Sequence, residues 1–367
     1  MKQLKAILTP VAATVALALT TSAAQAKSTI GGIVFTNYYI QQIEDVNGND
    51  YTNSVLDVAN NSRFRIRWDN EDNVGMYIEM SLRDEDKDTL RHAYGKWDIS
   101  QQHQILVGQT STPFAPLNPN VAMVNNSGQG YGSVSPSRPS QIRYTYKFLN
   151  RQGALAVALV DPNKGEKAED INGNEMAGQR ETKMPRLDVG MAYRTFNWQI
   201  FPSFFIHSQD YTAGDDLSAY GYSLGAKTAW DKVTFTGEIG GGRNWGNTRM
   251  SLSGSWAGDN AGAIYDATGK KVEDNDNQGY WFDIGYRFSG EQTKGSIHFV
   301  HGALTSEAGN WRDKESTMTG ISAPIDLPWI ARGFRVRPEF FIFEDKDNIT
   351  GLETTETILG VQLQYTF

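Results

Sequence analysis

The sequence predicts an all-β chain closed into a transmembrane antiparallel β-barrel of about sixteen strands. Three observations predict it. Apolar and polar residues alternate with period 2 from end to end, and no comparable stretch shows the 3.6-residue period of a helix. The connections between alternating segments are mostly short and long in turn, as in a barrel with tight turns at one end and long loops at the other. After residue 26 no apolar run approaches the roughly 20 residues of a spanning helix. Yet aromatic residues make up 11% of the chain and glycine occupies 36 positions, a stock for lipid-facing girdles and tight turns. A soluble β-sandwich would also alternate, but has no reason to put aromatics on the apolar face at both strand ends.

The first 26 residues have the anatomy of a secretory signal peptide: Lys2 and Lys5, an apolar run to about Leu19, and Ala24-Gln25-Ala26 as an A-x-A cleavage site. Residues 27–367 form the barrel. Strands are expected at 29–41, 62–69, 74–84, 89–99, 103–110, 140–149, 153–160, 185–195, 198–208, 218–230, 232–241, 279–289, 293–303, 316–325, 333–344 and 354–367. Within "RFRIRW", residues 63–68, Phe64, Ile66 and Trp68 share one face. Ile142, Tyr144, Tyr146 and Phe148 alternate with Arg143, Thr145 and Lys147. Leu187, Val189, Met191 and Tyr193 form the next clear stripe. Tyr280, Phe282, Ile284, Tyr286 and Phe288 alternate with Trp281, Asp283, Gly285 and Arg287. Phe340 and Ile342 alternate with Phe341 and Phe343. In the last strand Leu359, Val361, Leu363, Tyr365 and Phe367 share a face. Long connections are expected at 42–61, 111–139, 161–184, 209–217, 242–278, 304–315 and 345–353.

The chain carries a net charge of −8 and no cysteine. Disulfides and thiolate metal sites are excluded, and an acidic exported chain is a poor partner for nucleic acid. Its arginines are nonetheless patterned. A charged side chain on a barrel's lipid face costs about 2–4 kcal/mol near the midplane, so Arg63, Arg65 and Arg67 are expected to line the lumen, about 6.5–7 Å apart. Arg143, Lys147, Arg335 and Arg337 alternate with apolar residues in the same way. Such a wall can select small anions by field and charge-assisted contacts. It can equally be balanced by wall carboxylates, for which Glu79, Asp188, Glu238, Asp283 and Glu339 are candidates.

Several segments resemble the trimeric sixteen-stranded porins of Gram-negative outer membranes, along the whole of 27–367 as a strand-and-loop pattern. "SRFRIRWDNED" resembles their second strand and its periplasmic turn, and "LRHAYGKWDI" their fourth. "ILVGQTSTPF" resembles the fifth strand entering the constriction loop, and "RPSQIRYTYKF" the strand leaving it. The wording is most similar to the dicarboxylate-type porins, without the N-terminal coiled coil some of them carry. The final "QLQYTF" resembles the assembly signal of outer-membrane barrels.

The resemblance implies an outer-membrane location, contact with its lipid, a homotrimer and a water-filled channel for small anionic or neutral solutes. It also implies that residues 111–139 fold inward as a constriction loop. That loop carries Asn118, Asn120, Asn125 and Asn126, and no Asp or Glu occurs from Ile99 to Val160. The family's wall arginines map to Arg65, Arg91 and Arg138. Alternation in "LRHAYGKW" leaves two choices, Arg91 inside or His92, Tyr94 and Lys96 inside.

Other motifs carry less. Gly221–Gly225 reads G-x-S-x-G, but its flanks form one continuous strand and not the strand–turn–helix of a nucleophile elbow. A barrel hydrolase would need a clustered Ser/His/Asp set, and none is recognisable in the sequence. His298 and His301 fall on opposite faces of a strand. "DVNGND" (Asp45, Asn47, Asn49) and "DINGNE" (Asp170, Asn172, Asn174) offer oxygens for Ca²⁺. However, Asp50 and Glu175 stand where an EF-hand loop needs glycine, so turn formation is the simpler use. No other cofactor is expected.

Overall fold

The computed structural model describes residues 27–367 apart from 60, 83–89, 120–134, 137, 162–168, 171–179, 182–183, 212–214, 249, 252–255, 260–261 and 267–269. The predicted signal peptide lies outside the described residues.

Sixteen strands cross the barrel. They are β1 Lys27–Glu44, β2 in two stretches (Asp50–Val58 and Arg63–Asp69), β3 Val74–Ser81, β4 Leu90–Asp98, β5 His103–Gln109, β6 Ser140–Phe148, β7 Gly153–Val160 and β8 Arg186–Arg194. Then follow β9 Trp198–Tyr211, β10 Leu217–Trp230, β11 Val233–Arg243, β12 Asp276–Ser289 and β13 Lys294–Ala308. The last three are β14 (Arg312–Ser322 with Ile325–Asp326), β15 Phe334–Asp347 and β16 Leu352–Thr366. Each is antiparallel to its neighbours, and β1 pairs β16 from Ile33↔Thr366 to Glu44↔Thr355, which closes the sheet and leaves no edge. Closure is tight at its seam. Gly32 and Phe367 exchange backbone hydrogen bonds. A Cβ at Gly32 would stand 2.5 Å from the Phe367 ring and 2.9 Å from the Arg63 carbonyl oxygen. Gly32→Val is therefore expected to cost about 1–3 kcal/mol of overpacking, measurable as a lower urea midpoint of the refolded barrel.

The strand interiors alternate as the sequence pattern requires. Tyr280, Ile284, Tyr286, Leu359 and Leu363 are exposed on the outer face, whereas Trp281, Asp283, Phe341 and Phe343 are buried on the inner one. The strand ends differ from expectation. The connection expected at 42–61 is largely strand, because β1 and β2 stay paired up to Glu44↔Asp50. The connections expected at 304–315 and 345–353 likewise shrink to short turns. Beyond the lipid neither face needs to be apolar, so the period-2 signal fades while the backbone ladder continues. β2 is interrupted at 59–62, where the Ser62 hydroxyl both accepts from the Phe35 N–H and donates to the Phe35 carbonyl.

Wall height is uneven among the described residues. The continuous described stretches of β3 to β8 are 7–9 residues long, with Arg180–Glu181 as a further short stretch paired to Asp210 and Tyr211 of β9, whereas β9, β10, β12, β13, β15 and β16 have 14 or 15.

Candidate functional site: the lumen wall

Two segments enter the lumen. Residues 111–119, the described start of the predicted constriction loop, run along the wall of β8 to β11. Gln141 donates to the carbonyls of Thr110 and Ser111, and Arg143 donates to that of Ser111, so β6 holds the root of the loop. Farther on, the Ala115 N–H donates to Ser203 Oγ at 3.0 Å. Phe114 packs edge-on to Phe205. A Cβ at Gly190 would lie 2.3 Å from the Pro113 carbonyl oxygen, so only glycine allows this approach. Asn118 is exposed; Asn120, Asn125 and Asn126 lie outside the described residues. The second segment, in the β11–β12 connection, seats Trp245 and Ala257 against Phe205, Ala219 and Leu304. Ala257 N–H donates to Ser316 Oγ and Trp256 N–H to Asp345.

The low wall carries the arginines. Arg63, Arg65 and Arg67 share the inner face of β2, in register with Ser81, Glu79 and Tyr77 of β3. Glu79 gathers this group. It accepts from Tyr77 Oη at 2.7 Å and Arg91 Nε at 2.9 Å, and lies 3.4 Å from Arg63 Nε. Arg91 and His92 both face inward, although alternation allowed only one of them. A β-bulge pairs Glu79 with His92 and Met80 with Leu90, leaving Arg91 as the extra residue, and a bulge turns its extra side chain toward the same face. Arg138 Nε then donates to His92 Nε2 at 3.1 Å, which places the imidazole proton on Nδ1, 2.8 Å from Thr110 Oγ1.

Toward the short-turn end, other cations are neutralised. Arg67 pairs with Asp69 at 2.6 Å, Lys96 with Asp69 at 3.2 Å, Lys147 with Asp98 at 3.2 Å, and Arg335 with Asp326 at 2.6 Å. Arg337 is buried beside Glu339, whose carboxylate accepts from Ser322. Among the described residues, Arg65, Arg138 and Arg143 have no carboxylate within ion-pair distance.

Of the expected wall carboxylates, Glu79 meets arginines of the ladder. Asp188 instead binds Arg186, Nε to Oδ1 at 2.8 Å and Nη2 to Oδ2 at 2.9 Å, with both side chains buried. Asp283 takes His298 Nδ1 at 2.7 Å, and His298 Nε2 lies 2.7 Å from Ser296 Oγ. This Ser–His–Asp chain is a cross-strand product, which the sequence spacing alone did not display. Its neighbouring amides offer no oxyanion hole: the Ser296 N–H donates to the Pro324 carbonyl and Ile297 sits in the ladder opposite Tyr286. His301 points outward, toward Tyr280 and Phe282.

Asp45 works as a turn cap. Its Oδ1 accepts from the backbone N–H groups of Asn47 and Asn49. The Asn49 N–H, and then the Asn49 side chain, hold this carboxyl below the usual carboxylate range. Asp170 pairs through its backbone with Tyr265; Asn172 and Asn174 lie outside the described residues.

Solved structures place the fold. The outer membrane channel DcaP of Acinetobacter baumannii superposes with a TM-score of 0.72 at 16% identity, over 94% of this chain and 99% of that one. The anion-selective porin from Comamonas acidovorans gives 0.61 at 10% identity, over 94% and 100%. OmpT of Vibrio cholerae in its trimer form gives 0.56 at 12% identity, over 94% and 100%. No protein-family model and no curated protein matches the sequence. The chain has the sixteen-stranded barrel fold of Gram-negative outer-membrane porins.

Proposed function

We propose that the chain is an outer-membrane porin through which small hydrophilic solutes, anions in preference, diffuse passively. The observation that carries this reading is the pair Arg65 and Arg138, lumen-side guanidinium groups with no carboxylate partner among the described residues. Arg138 stands in a stretch where 62 consecutive residues, from Ile99 to Val160, contain no acidic side chain. Two further cations, Arg63 and Arg91, flank them and share the single carboxylate of Glu79. Fixed cations in a narrow aqueous passage raise local anion concentration and exchange hydration for transient charge-assisted contacts. Residues 111–139, rich in asparagine, would set the width. No bond is made or broken, and the Ser296–His298–Asp283 chain serves to order the wall, the Ser296 N–H being engaged with the Pro324 carbonyl. The Asp45 stretch serves as a turn.

A homotrimer is part of this reading. A strand of 7–9 residues tilted by about 45° rises only about 16–21 Å, short of an apolar band of about 25 Å. The low wall of β3 to β8 would be completed by neighbouring subunits, and it presents Val107 and Ile142 outward. The protein is expected to run as a heat-modifiable trimer on gels.

Single-channel recording in asymmetric KCl tests the function. Wild type should show a reversal potential on the chloride side, and Arg65→Ala should move it toward zero. A potassium-side potential would overturn the anion preference, and absence of channels would overturn the porin.

A further inference from the structure

The short-turn rim holds a second group of cations, across the barrel from the β2 ladder. A cavity of about 430 Å³ is bounded by Lys232, Arg287, Lys294 and Arg335, with Asp231, Asp326 and Ser296 among its other walls. The side chains share the inner face by register. Ser296 opposes Arg287, Lys294 opposes both Ser289 and Asp326, and Asp326 opposes Arg335. Arg287 stands on the same face of β12 as the buried Trp281 and Asp283.

The charges do not cancel. Asp326 is taken up by Arg335 at 2.6 Å. Arg287 donates to the backbone carbonyl of Asp231 at 3.2 Å, not to its carboxylate. Lys232, Arg287 and Lys294 are exposed and make no ion pair among the described residues. On the opposite side of the same rim, Arg67, Lys96 and Lys147 all lie against Asp69 or Asp98. Three cations without an ion-pair partner among the described residues are thus gathered in the sector from β10 to β15.

We propose that this rim cavity is an anion-binding site for small oxyanions, carboxylate or phosphate, distinct from the arginines around Glu79. Arg287 and Arg335 bring planar forks and the two lysines mobile point charges, a set suited to an oxyanion that arrives from different angles. Ser296 contributes no specific donor, because its hydroxyl is engaged with His298. The site deepens the channel reading, since its solute enters or leaves by this mouth. It would concentrate anions there before they meet the narrower wall.

Phosphate binding can be read without current. Purified detergent-solubilised protein is titrated with inorganic phosphate while the ³¹P line width is followed. Wild type should broaden the line. Lys232→Ala/Arg287→Ala/Lys294→Ala should lose the broadening, and Arg65→Ala/Arg138→Ala should keep it. Broadening that survives the triple variant, or disappears only in the double variant, overturns the proposal. Should the triple variant fail to give the heat-modifiable folded band, Lys294→Glu alone serves, with weakened broadening expected and unchanged broadening overturning. In lipid nanodiscs, loss of phosphate binding on adding phosphatidylglycerol would assign the cations to a lipid headgroup and also overturn the site. A protein that binds phosphate here but conducts no ions would sink the channel reading and leave the site standing; a conducting protein without broadening would do the reverse.

Discussion

Asp188→Asn is expected to destabilise the barrel by about 3–5 kcal/mol, the cost of stranding one member of a buried ion pair. Arg186 and Asp188 are joined by two parallel hydrogen bonds of 2.8 and 2.9 Å, and both are almost wholly removed from solvent. The guanidinium also lies over the Phe205 ring, 5.4 Å from its centroid. Phe205 in turn holds Phe114, so the pair supports the segment that enters the lumen. Urea unfolding followed by tryptophan fluorescence would measure the loss. The double replacement Arg186→Met/Asp188→Leu should recover most of it, because two apolar side chains leave no buried charge. A single variant as stable as wild type would mean that water reaches the pair.

Glu79→Gln should have the opposite functional sign to Arg65→Ala. It removes the carboxylate that Tyr77, Arg91 and Arg63 surround. The wall gains one net positive charge, so the reversal potential in asymmetric KCl should move farther to the chloride side. Stability should fall at the same time by about 1.5–3 kcal/mol, the worth of hydrogen bonds to a charged group. Selectivity and stability then change in opposite directions in one variant. An unchanged reversal potential would show that Glu79 and its arginines only fill the barrel and do not set its field.

The strand count, the order of strands and the facing of their centres were legible because lipid outside and water inside impose a strict two-residue rhythm. Phe340 outside and Phe341 inside follow from it. The rhythm cannot report what happens beyond the lipid, which is why Asp50–Val58 reads as loop. Nor can it represent a bulge, so it forces a choice between Arg91 and His92 that the backbone does not make. Charge pairing was not legible: Asp188 was expected to balance the lumen arginines and instead binds Arg186, two residues away on its own strand. Lys147 with Asp98, or His298 with Asp283, depends on register between strands, and register needs the closed sheet. Thr110 was read as the end of a strand, but its contacts with Gln141 and His92 make it the hinge between wall and loop.

The extra residue in β4 also bears on how this wall can vary. Elsewhere in the barrel, losing one codon from a strand would turn every later side chain over and drive aromatics into water until the pairing slipped back. At Arg91 the same loss would restore plain pairing between Leu90 and Met80 and disturb nothing downstream. A lineage could therefore delete or restore one cation here without rewriting the strand. Adjustable charge sits at the one described point of β4 where the reading frame of the wall forgives it.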